Sequence, residues 1–163
     1  MAEETRTGEK SMAGKKQFCT FYLADHFFGV PVGEVQEVIR YLEMTHVPLV
    51  SEVVRGLINL RGQIVTAIDL RRRLGMEDRA AEQLPMNVVI RTSDGAVSLL
   101  VDEIGDVLEV EEEILEPTPA TLQGPMRAMV RGVYKLPGRL MLTLDIEKAY
   151  QTAEVGEAAG STS

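Results

Sequence analysis

Apolar residues in this chain come in short runs broken by glycine, proline and charge, and the dominant period is that of strands. Gln17 to Leu23, with Phe18, Thr20, Phe21 and Tyr22, and Phe27 to Val32 flank Asp25-His26 and predict a hairpin. Gly33 to Arg40 carries Val35, Val38 and Ile39 and fits either a strand or one helical turn running into a strand. Val53 to Leu60 and Gln63 to Leu70 are joined by Arg61-Gly62, a tight turn. Asp69 then stands where a helix N-cap belongs, ahead of Leu70 to Gly75. Asn87 to Arg91 and Ala96 to Val101 predict a second hairpin around Ser93-Asp94-Gly95, and Val107 to Val110 a further strand. Glu111 to Gly124, with a glutamate run and two prolines, predicts a surface connection. Val130 to Leu136 and Arg139 to Ile146 form a last hairpin around Pro137-Gly138, and Ile146 to Ala153 a closing helix.

The pattern repeats. Shifted by 76 residues, Val54-Arg55-Gly56 falls on Val130-Arg131-Gly132, Leu60 on Leu136, Gly62 on Gly138 and Asp69 on Asp145. Leu57, Ile64, Ile68 and Leu70 fall on Val133, Leu140, Leu144 and Ile146, apolar on apolar. At an offset of 69, Val32, Val35, Glu37 and Val38 fall on Val101, Ile104, Asp106 and Val107. The order is kept, which implies two halves of one architecture, about five short strands each, with a short helix after the aspartate. The fold class expected is mainly all-β: two SH3-like five-stranded β-barrel subdomains, intertwined or in tandem, spanning roughly residues 17–80 and 81–153. The polar stretch Glu77 to Gln83 links them. Residues 1–16 and 154–163, rich in Gly, Ser, Ala, Thr and charge, read as disordered tails.

Composition narrows the function. The chain of 163 residues is 45% apolar, enough for a core, and has no apolar run of bilayer-spanning length. The polar N-terminus lacks a secretory apolar stretch, which points to the cytoplasm. A net charge of −8 disfavours nucleic acid, and Arg71-Arg72-Arg73 reads as a solvated helix face. The lone Cys19 allows no intrachain disulfide and no zinc cluster. His26, in the first turn, and His46, in a loop, have no cysteine or paired carboxylate at ligand spacing, so no metal or cofactor is expected. No nucleophile elbow, phosphate loop or His-Glu-x-x-His is present. Asp69 and Asp145 read as helix caps before they read as a catalytic pair.

Two charges stand out. Arg61 sits at a hairpin tip between apolar strands, and the second half has Pro137 there. Glu37 lies between Val35 and Val38-Ile39. Charges flanked by exposed valines suit a partner-binding rim, where apolar groups give area and charge gives orientation. They equally suit two ordinary surface charges, and the residues alone do not choose.

The strings Phe28-Gly29-Val30-Pro31-Val32, Val35-Gln36-Glu37-Val38, Arg55 to Gly62 with Asn59-Leu60-Arg61-Gly62, Asp69-Leu70, and Gly132 to Lys148 together resemble the CheW domain over roughly Gln17 to Tyr150. The resemblance implies two SH3-like subdomains around a hydrophobic core and no enzymatic activity. It implies binding to the regulatory domain of a chemotaxis histidine kinase and to the cytoplasmic helical tip of a chemoreceptor, in receptor arrays at the inner face of the membrane, without insertion into it. By resemblance, Glu37 and Arg61 match charged positions implicated in function and able to pair. Val35, Val88 and Val107 match positions lining a groove between subdomains where a receptor helix docks. Gly56 matches the region facing the kinase. An adaptor of pilus motility or development is the alternative within this class; a small hydrolase or ligand-binding barrel using Asp69, Asp145 or the histidines is the rival outside it.

Overall fold

The computed structural model describes residues 15–48, 51–93, 95–111 and 115–150. Residues 1–14 of the first tail expected at 1–16, the tail expected at 154–163, residues 151–153 of the expected closing helix, Asp94, and Glu112-Glu113 lie outside the described residues. Lys15 and Lys16, expected in the first tail, begin the first strand.

Among the described residues eleven strands build two sheets. β1 (Lys15–Leu23) and β2 (His26–Pro31) form the first hairpin. Its turn is Ala24-Asp25 rather than Asp25-His26: His26 already pairs with Leu23, and Ala24 takes the positive φ of 53°. A single 3-10 turn, Val32–Glu34, then leads into β3 (Val35–Ile39), so the helical turn and the strand are both present. β4 (Val54–Leu60) and β5 (Gln63–Asp69) precede α1 (Leu70–Arg73). β6 (Met86–Thr92), β7 (Gly95–Val101) and β8 (Glu103–Glu111) follow. The connection expected from Glu111 to Gly124 contains the two-residue β9 (Leu115–Glu116) and ends in α2 (Gly124–Met129). Pro125 opens that helix, where its missing N–H costs nothing, and Met126 and Met129 face the core. β10 (Val130–Leu136) and β11 (Arg139–Leu144) lead to a last helical stretch at 146–150.

One sheet runs β8-β1-β2-β11-β10-β9 and the other β3-β6-β7-β5-β4. Among the described residues neither ladder closes on itself, an arrangement consistent with SH3-like subdomains. Each sheet draws on both stretches of chain: residues 17–80 give β1 and β2 to the first sheet and β3, β4 and β5 to the second.

The duplication is visible strand by strand. In β4–β5, Val54 faces Ile68, Gly56 faces Ala67 and Leu60 faces Gln63, with a bulge after Val54. In β10–β11, Val130 faces Leu144, Gly132 faces Thr143 and Leu136 faces Arg139, with the bulge after Val130. The two parallel contacts also match: Thr66 beside Val97, and Leu142 beside Phe28. Val38 lies beside Val88 as Val107 lies beside Cys19. The offsets of 76 and 69 thus relate the sheets by one internal repeat. The repeat is exchanged: each sheet joins the first hairpin of one half to the remaining strands of the other.

Both sheets share a central core. Phe21, Leu23, Phe28 and Val30 of the first meet Ile68, Val88, Ile90, Leu99 and Val101 of the second, with Leu70 and Ile146 from the two helical turns. Phe21 and Phe28 stack with ring centres 5.6 Å apart, both fully buried. Each such side chain contributes about 2 kcal/mol by leaving water. A smaller cluster backs each sheet: Ile58, Leu60, Val65, Ala67, Val89 and Leu100 on one, and Phe18, Phe27, Val110, Tyr134 and Met141 on the other. Neither sheet completes the central core alone, so the halves hold each other in register and fix the turns that carry the site.

Candidate functional site

The Asn59–Gly62 turn is a two-residue hairpin in which both central residues take positive φ, 52° at Arg61 and 88° at Gly62. Asn59 Oδ1 accepts the Gly62 N–H at 2.8 Å and locks the turn. Glycine adopts this backbone freely, whereas an arginine held there costs about 1 kcal/mol. The matching turn has Pro137, whose ring fixes φ near −65°, and only Gly138 is positive, at 81°. Folding therefore does not require arginine at this tip; it tolerates one.

From that tip the Arg61 guanidinium donates to Glu37 Oε2 on β3. Gln36 Nε2 donates to the same oxygen at 3.4 Å. Because β3 and β4 are the two ends of their sheet, the pair ties its ends together. The Arg61 side chain is 68% exposed and that of Glu37 25%. Such an open pair contributes at most about 1 kcal/mol, so its exposed donors remain available to a partner.

The other expected residues separate. Val35 is half-buried against the central core, on the same strand as Glu37. Val88 is fully buried, so its side chain offers no surface to a partner in this conformation; it faces inward on the interior strand β6, between β3 and β7. Val107 is 58% exposed on β8, the outer strand of the other sheet. Its repeat mate, Val38, is exposed beside Glu37. Gly56 is buried, and a Cβ there would lie 2.5 Å from the Thr45 carbonyl oxygen. Thr45 exchanges two backbone hydrogen bonds with Leu57, so Gly56 lets the 44–45 segment lie against β4.

Asp69 and Asp145 each cap their own helical turn. Asp69 Oδ1 accepts the Arg71 N–H at 3.0 Å, and Asp145 Oδ1 accepts the Lys148 N–H at 3.1 Å. Asp69 does more, which its sequence position did not reveal. It is fully buried, takes a hydrogen bond from Arg55 at 3.0 Å and lies 3.5 Å from Arg79. Beside it, buried Asp102 accepts from Arg71 Nε at 3.0 Å, Arg79 Nε at 3.0 Å and the Ala24 N–H at 2.7 Å. Burial alone raises the Asp102 carboxyl, but hydrogen bonds from Arg71, the Ala24 N–H and Arg79 outweigh it and hold the group below its ordinary value.

The basic run is therefore not a solvated face. Arg71 clamps Asp102, Arg72 pairs with Asp78, and Arg73 donates to the Ala149 carbonyl at 3.2 Å. The available signal was the composition of the linker: Arg79 is an arginine placed one helix and one turn after a capping aspartate.

With this geometry in hand, similarity decides the lineage. A model of the CheW-like domain matches residues 17–154. The chain belongs to the CheW-like domain family. A probable chemotaxis protein CheW of Rhizobium etli is 31% identical over 146 residues, covering 90% of this chain and 94% of that one. The chemotaxis protein CheW of Bacillus subtilis is 29% identical over 145 residues, covering 89% and 88%. The crystal structure of the scaffolding protein TtCheW from Thermoanaerobacter tengcongensis superposes with a TM-score of 0.71 at 28% identity, over 79% of this chain and 88% of that one. The mostly-β fold with SH3-like subdomains expected from the sequence is the fold of this CheW-like chain. Among the described residues no helix is long and apolar enough to cross a membrane.

Proposed function

We propose that this CheW-like chain is a coupling scaffold of a chemotaxis signalling complex, holding the regulatory domain of a histidine kinase against the cytoplasmic helical tip of a chemoreceptor. The carrying observation is family membership across nearly the whole folded chain, together with relatives named as chemotaxis proteins and a structural neighbour titled a scaffolding protein. In this reading the protein performs no chemical step and works in the cytoplasm, beneath receptor arrays. It changes signalling by contacting two partners at once, which converts the second binding into an intramolecular event.

Arg61 and Glu37 orient the partner, and the exposed Val38 and Val107 supply apolar contact area for a receptor helix. Val35 and Val88 act from beneath, by setting the position of β3 and β6. Gly56 shapes the β4 face proposed to meet the kinase. The test is titration of a purified kinase regulatory domain, and separately of a receptor cytoplasmic fragment, against the wild-type protein, Arg61→Ala and Glu37→Arg. At least one partner is expected to bind about tenfold more weakly to each variant while the thermal midpoint stays close to wild type. Wild-type protein that binds neither partner sinks the reading.

A further inference from the structure

The internal repeat makes the two sheets comparable residue by residue. Under the offsets of 69 and 76, Tyr22, Phe27 and Arg139 of the first sheet fall on Arg91, Ala96 and Gln63 of the second. Tyr22 pairs with Phe27 across β1–β2 as Arg91 pairs with Ala96 across β6–β7. The second sheet keeps the register with neither ring at these places, so the fold does not require the rings.

Tyr22, Phe27 and Arg139 line a cleft of about 370 Å³. The Tyr22 and Phe27 rings lie 5.0 Å apart at a tilt of 42°. The Arg139 guanidinium sits over Phe27, 3.9 Å from the ring centre, and its Nη1 donates to Tyr22 Oη at 2.8 Å. Its Nε and Nη2 have no acceptor among the described residues, so a cation is held in place with one edge of donors left over. Opposite lies the loop at 119–122. There the Leu122 N–H donates to the Pro119 carbonyl at 3.2 Å, and Arg127 of α2 donates to the Pro119 and Leu122 carbonyls at 2.7 and 3.4 Å. From β11, buried Leu142 and the 46% exposed Leu140 also line the cleft.

We propose that this cleft binds a small carboxylic acid with an aromatic body, its ring among Tyr22, Pro119 and Leu140 and its carboxylate on Arg139. Size supports a small ligand: the volume is at the low end of the range of ligand clefts, about 300–1,000 Å³, with room for a single ring and not for a helix or a strand. The walls support a ring, because aromatic pairs at this spacing and tilt take a further ring edge-to-face or offset. The cation supports a carboxylate. Nε and Nη2 form the side edge of the guanidinium, which carboxylates take with two parallel hydrogen bonds. Asp25 is the one carboxylate among the lining residues, and it is exposed on the β1–β2 turn, where water screens it. The cleft belongs to the first sheet and the Arg61–Glu37 pair to the second, so the site stands whether or not that pair meets the partners proposed above.

The probe is 3-phenylpropionate, titrated into the full-length protein at low salt while backbone amides are followed by NMR. Saturating shifts are expected at Phe27, Leu122, Arg139 and Leu140, with a roughly millimolar Kd. 3-Phenylpropionamide lacks the charge and propionate lacks the ring, and each is expected to bind at least about fivefold more weakly. Arg139→Gln, which installs the residue that the repeat has at this place, is expected to weaken binding about fivefold while the urea midpoint stays close to wild type. Asp25→Asn is expected to strengthen binding about twofold by removing the like charge. Shifts that do not saturate, equal binding of the amide or of propionate, or an unchanged Kd in Arg139→Gln overturn the proposal. Tighter binding of a hexapeptide ending in phenylalanine overturns the small-molecule source in favour of a polypeptide C-terminus.

Discussion

The hairpins β4–β5 and β10–β11 share every pairing register, bulge included, and both lead through a capping aspartate into a helical turn. They differ in the turn that joins their strands and in what lies over the aspartate. The shared features are what the fold needs twice. The unshared ones, Arg61 at a costly φ and Arg79 over Asp69, are what one half has and the other lacks. Comparing the halves therefore separates folding from function without any second protein.

The comparison has a first consequence for cutting the chain. The ladders β1–β8, β2–β11, β3–β6 and β5–β7 all pair a strand before the Glu77–Gln83 linker with one after it. A fragment of residues 1–80 retains only β1–β2 and β4–β5. An isolated two-stranded hairpin is marginal in water. Separately expressed fragments 1–80 and 81–163 are expected to lose the whole folding free energy, of the order of 5–15 kcal/mol. Mixed in equal amounts they are expected to recover native circular dichroism and a cooperative melt. The exchange matters only if β3 cannot return to its own β1 in the place β8 holds. Cooperative melting of fragment 1–80 by itself would show that it can.

The second effect is smaller and compares the two caps. Asp69→Ala removes a cap, leaves Arg55 without its carboxylate and leaves the buried Arg79 with Asp102 alone, so it is expected to cost about 3–5 kcal/mol. Asp145→Ala removes a cap alone and is expected to cost about 1 kcal/mol. Urea denaturation of the two variants gives the difference; equal losses would mean that the network adds nothing to the cap. The acid limb sharpens this. Because the folded Asp102 carboxyl lies below its ordinary value, its stabilisation is complete above the unfolded carboxylate range and fades as pH falls through the depressed one. Asp102→Asn is expected to flatten the loss of stability over that acidic window.

These differences also mark what the sequence made legible. Period-two runs and turn residues located the hairpins, since apolar alternation and glycine act locally. The repeat located the equivalence of Asp69 and Asp145. The exchange of hairpins did not show, because the same registers serve whether a half closes on itself or on its neighbour. Helix α2 starts on the last residue of the stretch read as a surface connection and runs through Pro125 to Met129, to which no element was assigned, yet Met126 and Met129 were its apolar stripe. Arg79 was missed because a buried arginine looks the same as a solvated one until its carboxylates, at positions 69 and 102, are brought together. Val88 was placed in a groove by the family resemblance alone; its neighbours in sequence are apolar on either reading, and it is the interior place of β6, between β3 and β7, that puts it inside. Arg61 alone was legible as an anomaly, since no repeat demanded it.

The smallest expected effect on stability falls on that residue. Arg61→Gly relieves a backbone strain of about 1 kcal/mol. It gives up an exposed ion pair contributing at most about 1 kcal/mol, and it frees the unfolded chain by roughly 0.5–1 kcal/mol. The sum lies within about 1 kcal/mol of zero, so the urea midpoint is expected to move little. Pro137→Gly, at the matching turn, removes a residue whose φ is already set for its place and is expected to destabilise by about 0.4–1 kcal/mol. If Arg61 were there for the fold, Arg61→Gly would be the costlier of the two. If it is there for a partner, Arg61→Gly is the quieter in unfolding and the louder in binding, and that reversal of order is what the paired measurement reads.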